Sequence, residues 1–351
     1  MYFGKSAVIP ESIPEANTIA HVGKITLKSQ YNPYYVSTFL NCKYGYYQLR
    51  RRGIKATRPE IKLVEFPDIV VPEFSENFYS VVEVAVRKAN TLLELASSTM
   101  ELSTELIMDS LAMLPNHAER VSKAVVSFSN SFRLTGRLDA EYYQPKYEDI
   151  IRGLNASTTI SSLCEIYDEN FIPDDNSEYK YIELSNVGAN GDISDVQVVQ
   201  GIDLPSRARR IVRKGQVIVS SIEGSLNSCA LIDDDYDGAL CSTGFYVIDS
   251  TKINSESLLV LFKSKPIQAL LKQRCSGTIL TAISKDEFLN LPLLIIDNEI
   301  QKEIAEKVQE SFRLRNEAKQ LLSNAVKAVE MAIETDEETA MLWLLEKGVD
   351  C

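Results

Sequence analysis

The chain has 351 residues, 45% hydrophobic and 25% charged, the balance of an ordinary globular protein with room for two core-bearing domains. No apolar run approaches the roughly 18–20 residues that cross a bilayer. The opening Met1–Ser6 has neither the basic start nor the apolar stretch of a signal peptide, so a cytoplasmic protein without membrane contacts is expected. A formal net charge of −12 excludes a uniformly basic nucleic-acid binder, because phosphate neutralisation requires Lys and Arg.

Distribution matters more than the sum. Acid gathers at Asp174-Asp175, at Asp233-Asp234-Asp235 with Asp237, and around Asp336-Glu337-Glu338, whereas base gathers at Arg50-Arg51-Arg52 with Lys55 and Arg58, and at Arg207, Arg209, Arg210, Arg213 and Lys214. A locally basic face on an acidic body fits this pattern. The six cysteines (42, 164, 229, 241, 275, 351) form no C-x-x-C pair, and His21 and His117 stand alone. No zinc site, no other metal and no cofactor is expected, and the thiols are expected to be reduced and mostly buried.

From the N-terminus, Gly4–Ile9 is followed by the apolar Tyr35–Asn41, a basic turn at Gly53, and Leu63–Val71, an apolar strand with a central proline. A helical stripe then runs from about Ser75 to Met113 through Phe78, Val82, Ala85, Ala89, Leu92, Ala96, Met100 and Leu106. Pro115–Gly136 is Ser-rich and weakly patterned, a linker. Short β-like runs follow at Tyr179–Leu184, Gln197–Val199, Ile211–Val212, Gln216–Ser221, Cys229–Ile232 and Phe245–Ile248, punctuated by glycines. Leu258–Arg274 is helical, and a second long stripe follows from Ile300 through Ile304, Val308, Phe312, Ala318, Leu322, Val326 and Val329, broken at Arg315. Stripes of this length are seams, so the two long helices are expected to pack together, antiparallel.

The chain repeats itself. Leu63–Val71 matches Phe288–Ile296 at an offset of 225, Tyr35–Asn41 matches Leu258–Ser264 at 223, Gly53 matches Gly277, and the Gly4 block parallels Gly224–Ile232. The second copy has about 85 residues before Gly224 that the first lacks, so the first unit is expected to be truncated at its N-terminus. The expected division is 1–73, part of a first unit; 74–115, a long helix; 116–136, a linker; 137–297, a second unit; 298–334, a second long helix; and 335–351, an acidic tail.

Two apparent catalytic motifs dissolve on inspection. Asn32-Pro33-Tyr34-Tyr35 approaches the Asn-Pro-Pro-Tyr of adenine methyltransferases, but Tyr34 stands where the second proline belongs and no glycine-rich cofactor loop precedes it. A helix start explains it better. Pro173-Asp174 followed by Glu178-Tyr179-Lys180 has the residues of a nuclease motif, but too short a gap to put both acids on adjacent strands. There is no Walker A sequence.

Several segments together carry a family resemblance. Arg137-Leu138-Asp139-Ala140-Glu141-Tyr142-Tyr143-Gln144-Pro145 resembles the opening of a target-recognition unit in the specificity subunits of type I restriction-modification systems. Tyr181–Val187 resembles its first strand. Ala208–Val212 with Lys214–Ser220 resembles its "a-R-x-v-x-x-G-D-v-l-x-S" segment, with Gln216 where Asp is usual, and Ser242-Thr243-Gly244-Phe245 its S-T-G-F core. Gln301-x-x-Ile304 and Glu317–Leu322 resemble its long-helix region. The likeness spans Gly4 to Ile333, and its specificity lies in the order of the motifs. It implies an α/β (α+β) fold in which target-recognition domains of twisted sheet and helices are separated by two long antiparallel helices. It also implies a non-catalytic subunit that reads a bipartite site on double-stranded DNA. Its partners would be two methyltransferase subunits and a restriction/motor subunit, with a homodimer where the chain acts as a half-subunit. The competing readings are a recognition fragment of an adenine methyltransferase and a coiled-coil scaffold that does not bind DNA.

The DNA-facing candidates are Arg50, Arg51, Arg52, Lys55, Thr57 and Arg58 around Gly53; Lys272, Arg274, Ser276 and Thr278 around Gly277; Arg207, Arg209 and Arg210 for phosphates; and Ser221, Ser225 and Asn227 for base edges.

Overall fold

The computed structural model describes residues 4–10, 13, 15–19, 21–53, 60–110, 123–154, 156–277 and 281–349. In chain order these form α1 (Pro33–Asn41), α2 (Lys43–Arg52), a 3-10 turn (Leu63–Asp68) and α3 (Glu76–Ser110). Next come α4 (Phe132–Thr135), α5 (Pro145–Leu154) and α6 (Ile160–Leu163). The strands are β1 (Glu165–Ile166), β2 (Glu178–Ile182), β3 (Gln197–Gln200), β4 (Ala208–Ile211), β5 (Val217–Ser220), β6 (Cys229–Leu231), β7 (Leu240–Ser242) and β8 (Phe245–Asp249). The chain ends in α7 (Ser255–Lys263), α8 (Lys265–Arg274), α9 (Lys285–Leu289), α10 (Asn298–Glu334) and α11 (Glu337–Glu346). Two compact units result, Met1–Ala96 with Arg313–Cys351, and Ser97–Phe312. No helix among the described residues is long and apolar enough to cross a membrane.

In the first unit, α1 begins as its sequence dictates. The Asn32 side-chain oxygen accepts the N–H groups of Tyr34 (2.9 Å) and Tyr35 (3.0 Å), Pro33 occupies the first turn, and the Asn32 amide donates to Glu83 Oε2 at 2.6 Å. Asn-Pro-Tyr-Tyr is a helix cap. A single extended residue, Cys42, ends α1 and starts α2. Tyr35, Phe39 and Leu49 pack on Phe78, Val82, Ala85 and Ala89 of α3 and on Ala318, Leu321, Ala325 and Ala328 of α10. Within this unit the two long helices are antiparallel, because the Ser75 N–H at the mouth of α3 donates to Glu337, just past the end of α10 (2.8 Å).

The seam differs from the expected stripe by one position. Leu321 and Ala325 are in the core, while Leu322 and Val326 sit at its margin. Small side chains let the helix backbones come close, and that contact outweighs the larger residues one step (about 100°) around the helix. Leu63–Asp68 is a 3-10 turn rather than a strand. Gln48 holds the segment after it by clamping Val70, donating to its carbonyl and accepting its N–H, both at 2.9 Å. Nor is the acidic C-terminal stretch a tail. Asp336 caps α11 by accepting the Thr339 N–H at 2.8 Å, and Ala340, Leu344 and Val349 are buried in the unit's core.

The second unit stacks two four-stranded sheets. One has the order β1-β8-β5-β6, all antiparallel, and the other β3-β2-β7-β4, with β2 and β7 parallel. Alternation along the strands explains why their sequences are apolar throughout. Ile218, Ala230, Phe245 and Val247 face the layer between the sheets, while Val217, Val219, Cys229, Tyr246 and Ile248 face α7 and α8. Met100 and Ile107 of α3 and Ile304 and Val308 of α10 belong to this same helical core. β7 and β8 lie in different sheets, so Thr243-Gly244 is the point where the chain changes layer. The expected helix at 258–274 is broken at Ser264, which ends α7 and caps α8 in an extended conformation. Sheets that are antiparallel except at the β2–β7 pair, with helices on one side, make the fold α+β.

The repeat is more regular than the sequence suggests. α1 and α7, α2 and α8, and α3 and α10 each begin 222 positions apart (33 to 255, 43 to 265, 76 to 298). Asn32 and Asn254 cap the first helix of each module. The same spacing pairs Lys43 with Lys265, Leu49 with Leu271, Arg52 with Arg274, Glu65 with Glu287 and Phe66 with Phe288. Leu63–Asp68 therefore corresponds to α9, and Pro67 does not correspond to Pro292.

Candidate nucleic-acid interface

Each module presents the C-terminal turn of its second helix, where cations are favoured by the helix dipole. Residues two apart on a helix point to nearly opposite sides, and the basic side chains divide accordingly. Arg50 and Arg51 in α2 and Lys272 in α8 are exposed. Arg52 instead donates to the Asp68 carbonyl at 2.5 Å. Its counterpart Arg274 forms a 2.7 Å ion pair with Glu287, with side-chain exposures of 17% and 29%. Arg274 thus ties α8 to α9 and has little of its charge to offer a ligand. Lys55, Thr57, Arg58 and Thr278 lie outside the described residues.

Around α8 the structure collects loops that lie far apart in sequence. Ile283 donates to the Ser221 carbonyl at 2.8 Å, Glu223 to the Thr281 carbonyl at 3.0 Å, and Ser276 and Ala282 exchange backbone hydrogen bonds. The 221–228 and 276–282 segments, separate candidates in sequence, are therefore zipped together. Ser225, Asn227, Lys265, Gln268 and Lys272 line a groove of about 480 Å³ between that loop and α8, with Glu223 at its edge. Asn227, Lys265 and Lys272 are exposed, as is Ser276. Ser221 is not part of this surface. It is 8% exposed, and both its N–H and its hydroxyl donate to the Gly244 carbonyl at 2.9 Å. The Ser-Thr-Gly-Phe turn is thus the anchor of the loop.

Sequence reasoning missed two lysines here. Lys265 was detectable as the counterpart of Lys43. Lys263 donates to the carbonyls of Ala189 (2.8 Å) and Asn227 (2.9 Å), and burial pushes its pKa down. It stitches two loops together.

The second basic run is mostly engaged elsewhere. Arg207 is exposed and 3.6 Å from Glu183, Arg209 donates to the Ser206 carbonyl, and Lys214 pairs with Asp234 at 2.8 Å. Arg210 turns inward, with Nε and Nη1 enclosed and without hydrogen-bond partners among the described residues. Gln216, where a carboxylate is usual in the resembling segment, accepts the Arg213 N–H at 2.8 Å through its side-chain oxygen, work that a carboxylate would also do.

The Arg137–Pro145 segment also acquires a physical role. Arg137 donates to the Cys275 carbonyl at 2.9 Å at the end of α8, stacks over Tyr142 at 4.3 Å and pairs with Asp139 at 2.6 Å. Gln273 donates to the Tyr142 carbonyl at 2.8 Å. This segment holds the α8 terminus in place. Glu287→Ala would leave Arg274 half-enclosed without its carboxylate, and we expect a loss of about 2 kcal/mol in urea unfolding. An unchanged midpoint would mean the pair contributes nothing.

Three carboxylates of this unit are held below their ordinary pKa: Asp139 by Arg137, Glu141 by the Tyr147 hydroxyl and then Lys146, and Asp168 by Lys285. A depressed carboxylate contributes stability that is present above the unfolded-state value, about 4, and lost as pH falls through the folded value. The thermal midpoint should therefore be flat from about pH 7 to 5 and fall below about pH 4. Asp139→Asn should flatten part of that fall.

Cys42, Cys164, Cys229, Cys241 and Cys275 are free thiols. Burial pushes Cys229 and Cys275 up to about 11 and Cys164 and Cys241 to about 12. Unreactive thiols are the consequence.

No protein-family profile and no curated protein matches the chain. Similar solved structures do exist. One is described as "Structural basis underlying complex assembly and conformational transition of the type I R-M system", at 28% identity and a TM-score of 0.40, over 51% of this chain and 47% of that one. A second is the HsdS subunit from Thermoanaerobacter tengcongensis, at 26% identity and a TM-score of 0.37, over 49% of this chain and 46% of that one. A third is the type I restriction-modification system S subunit from M. genitalium, at 12% identity and a TM-score of 0.37, over 90% of this chain and 73% of that one. The chain thus spans about half the length of the first two; the first and third descriptions name type I restriction-modification systems.

Proposed function

We propose that this chain is a DNA-recognition subunit of a type I restriction-modification complex, reading double-stranded DNA and scaffolding the methyltransferase subunits that modify it. The observation that carries this is the helical module found twice at a constant spacing of 222 residues, each copy ending in exposed cations, Arg50 and Arg51 in one and Lys272 in the other. Recognition of a bipartite site needs a reader for each half and a rigid element beside each. The paired long-helix segments in each unit supply that element. In the second unit, Lys265 and Lys272 would meet phosphates and set the register, while Ser225, Asn227 and Ser276 would reach base edges. Ser, Asn and Lys side chains in this groove suit hydrogen bonding in the major groove better than chemistry.

The chain's part would be recognition, and methyl transfer and any motor or nuclease step would belong to partner subunits. The chain purified with its methyltransferase partner should direct adenine methylation to one bipartite sequence in genome-wide mapping. Methylation at the same sites in a strain lacking the gene would end the proposal. Calorimetry of the chain alone with S-adenosylmethionine should show no binding. Saturable binding would favour the methyltransferase-fragment reading instead.

A further inference from the structure

One carboxylate of the second unit stands where the charge of DNA would repel it. Glu223 is half-buried at the edge of the groove that Ser225, Asn227, Lys265, Gln268 and Lys272 line. Although two lysines share this groove, its carboxylate makes no ion pair or hydrogen bond among the described residues. Neighbouring acids are already engaged. Glu287 holds Arg274, and Glu141 accepts from the Tyr147 hydroxyl and from Lys146.

The backbone at Glu223 is fastened from two sides. Its own N–H donates to the Thr281 carbonyl at 3.0 Å. On the other side, Ser220 Oγ accepts the Ile222 N–H at 3.1 Å and lies 3.0 Å from Ser225 Oγ, while the Ser225 N–H donates to the Ile222 carbonyl at 2.9 Å. A turn held this way sets where the Glu223 side chain leaves the backbone, with no ion pair needed to place it.

We infer that Glu223 is a base-reading residue that selects cytosine at one position of the half-site bound by the second unit. This rests on the DNA reading proposed above. An ionised carboxylate only accepts hydrogen bonds, so phosphates repel it and a base must offer it a donor. In the major groove the donors are the amino groups of cytosine N4 and adenine N6. Adenine sets its N7 acceptor beside the donor, which disfavours a group that cannot donate, whereas cytosine presents the amino group alone. Lys265 and Lys272, on phosphates, set the register that brings this edge to Glu223.

The test uses the chain assembled with its methyltransferase partner and a pool of duplexes with randomised half-sites, sequenced after the bound fraction is recovered. The parent should select C at one position where Glu223→Gln selects A, because an amide both accepts from N6 and donates to N7. Glu223→Ala should select no base there, with discrimination at that position falling about 10- to 100-fold. Both variants should also hold a non-cognate duplex more tightly than the parent, since a charge that repels phosphate is gone. A glutamate with a purely structural role would not produce that gain. An unchanged selected sequence in both variants overturns the inference and leaves the DNA reading standing. Loss of selection at a position other than cytosine, or of all selection by both variants, overturns it as well. A parent that selects no sequence overturns the DNA reading itself and this inference with it.

Discussion

Lys265→Ala with Lys272→Ala should weaken binding to cognate duplex about 10- to 100-fold near 0.15 M salt and lower the log–log salt slope by about 1.8. The estimate follows from releasing about 0.9 counterion per phosphate contact at two contacts. The effect should be large because the chain carries a net charge of −12. On such a body each free cation offsets repulsion as well as meeting a phosphate. Lys265 and Lys272 are exposed beside Asn227 at the groove, and among the described residues neither forms an ion pair. Lys214→Ala is the control, since Lys214 is already paired with Asp234. Its slope should equal that of the parent. A double variant with an unchanged slope would remove the groove from the DNA interface.

The same contrast shows how much of the site was legible in sequence. The basic clusters were visible as residue types, but their availability was not, since that depends on partners distant in the chain. Arg52 and Arg274 differ from Arg50 and Lys272 only by their side of a helix, and that side is set by Asp68 and Glu287. Ser221 and Ser225 are four residues apart in one polar loop, yet only Ser221 is fastened under the Gly244 turn. The fold was legible where a strand is long and buried on both faces, as in β5 and β8. β1, with two residues, and β7, with three, gave no period to detect. The break at Ser264 did carry a signal, Pro266 in the first turn of α8. α11 looked like a tail because its acids dominate, although those acids sit where a helix start favours them.

Gly45→Ala should destabilise the first unit by about 3 kcal/mol or more, reversing the gain of about 1 kcal/mol that alanine normally brings to a helix interior. A Cβ at position 45 would lie 2.2 Å from the Phe39 carbonyl oxygen and 2.6 Å from Leu40 Cα. Both are backbone atoms of α1, so no rotamer change relieves the clash, and the corner at Cys42 must open. Opening it pulls Tyr35, Phe39 and Leu49 away from the long-helix seam. The matching position in the second unit is Ile267, fully buried, so that module closes its corner around a large side chain where the first closes down to none. Trp343, the chain's single tryptophan, lies in the first unit with Lys327 and Lys347 over its ring, and its fluorescence reports this unit. Its urea transition should move to lower denaturant in Gly45→Ala, while Ile267→Ala should lose about 2–5 kcal/mol through a cavity in the second unit's core. If Gly45→Ala unfolded at the parent's midpoint, α1 and α2 could not be packed as closely as described.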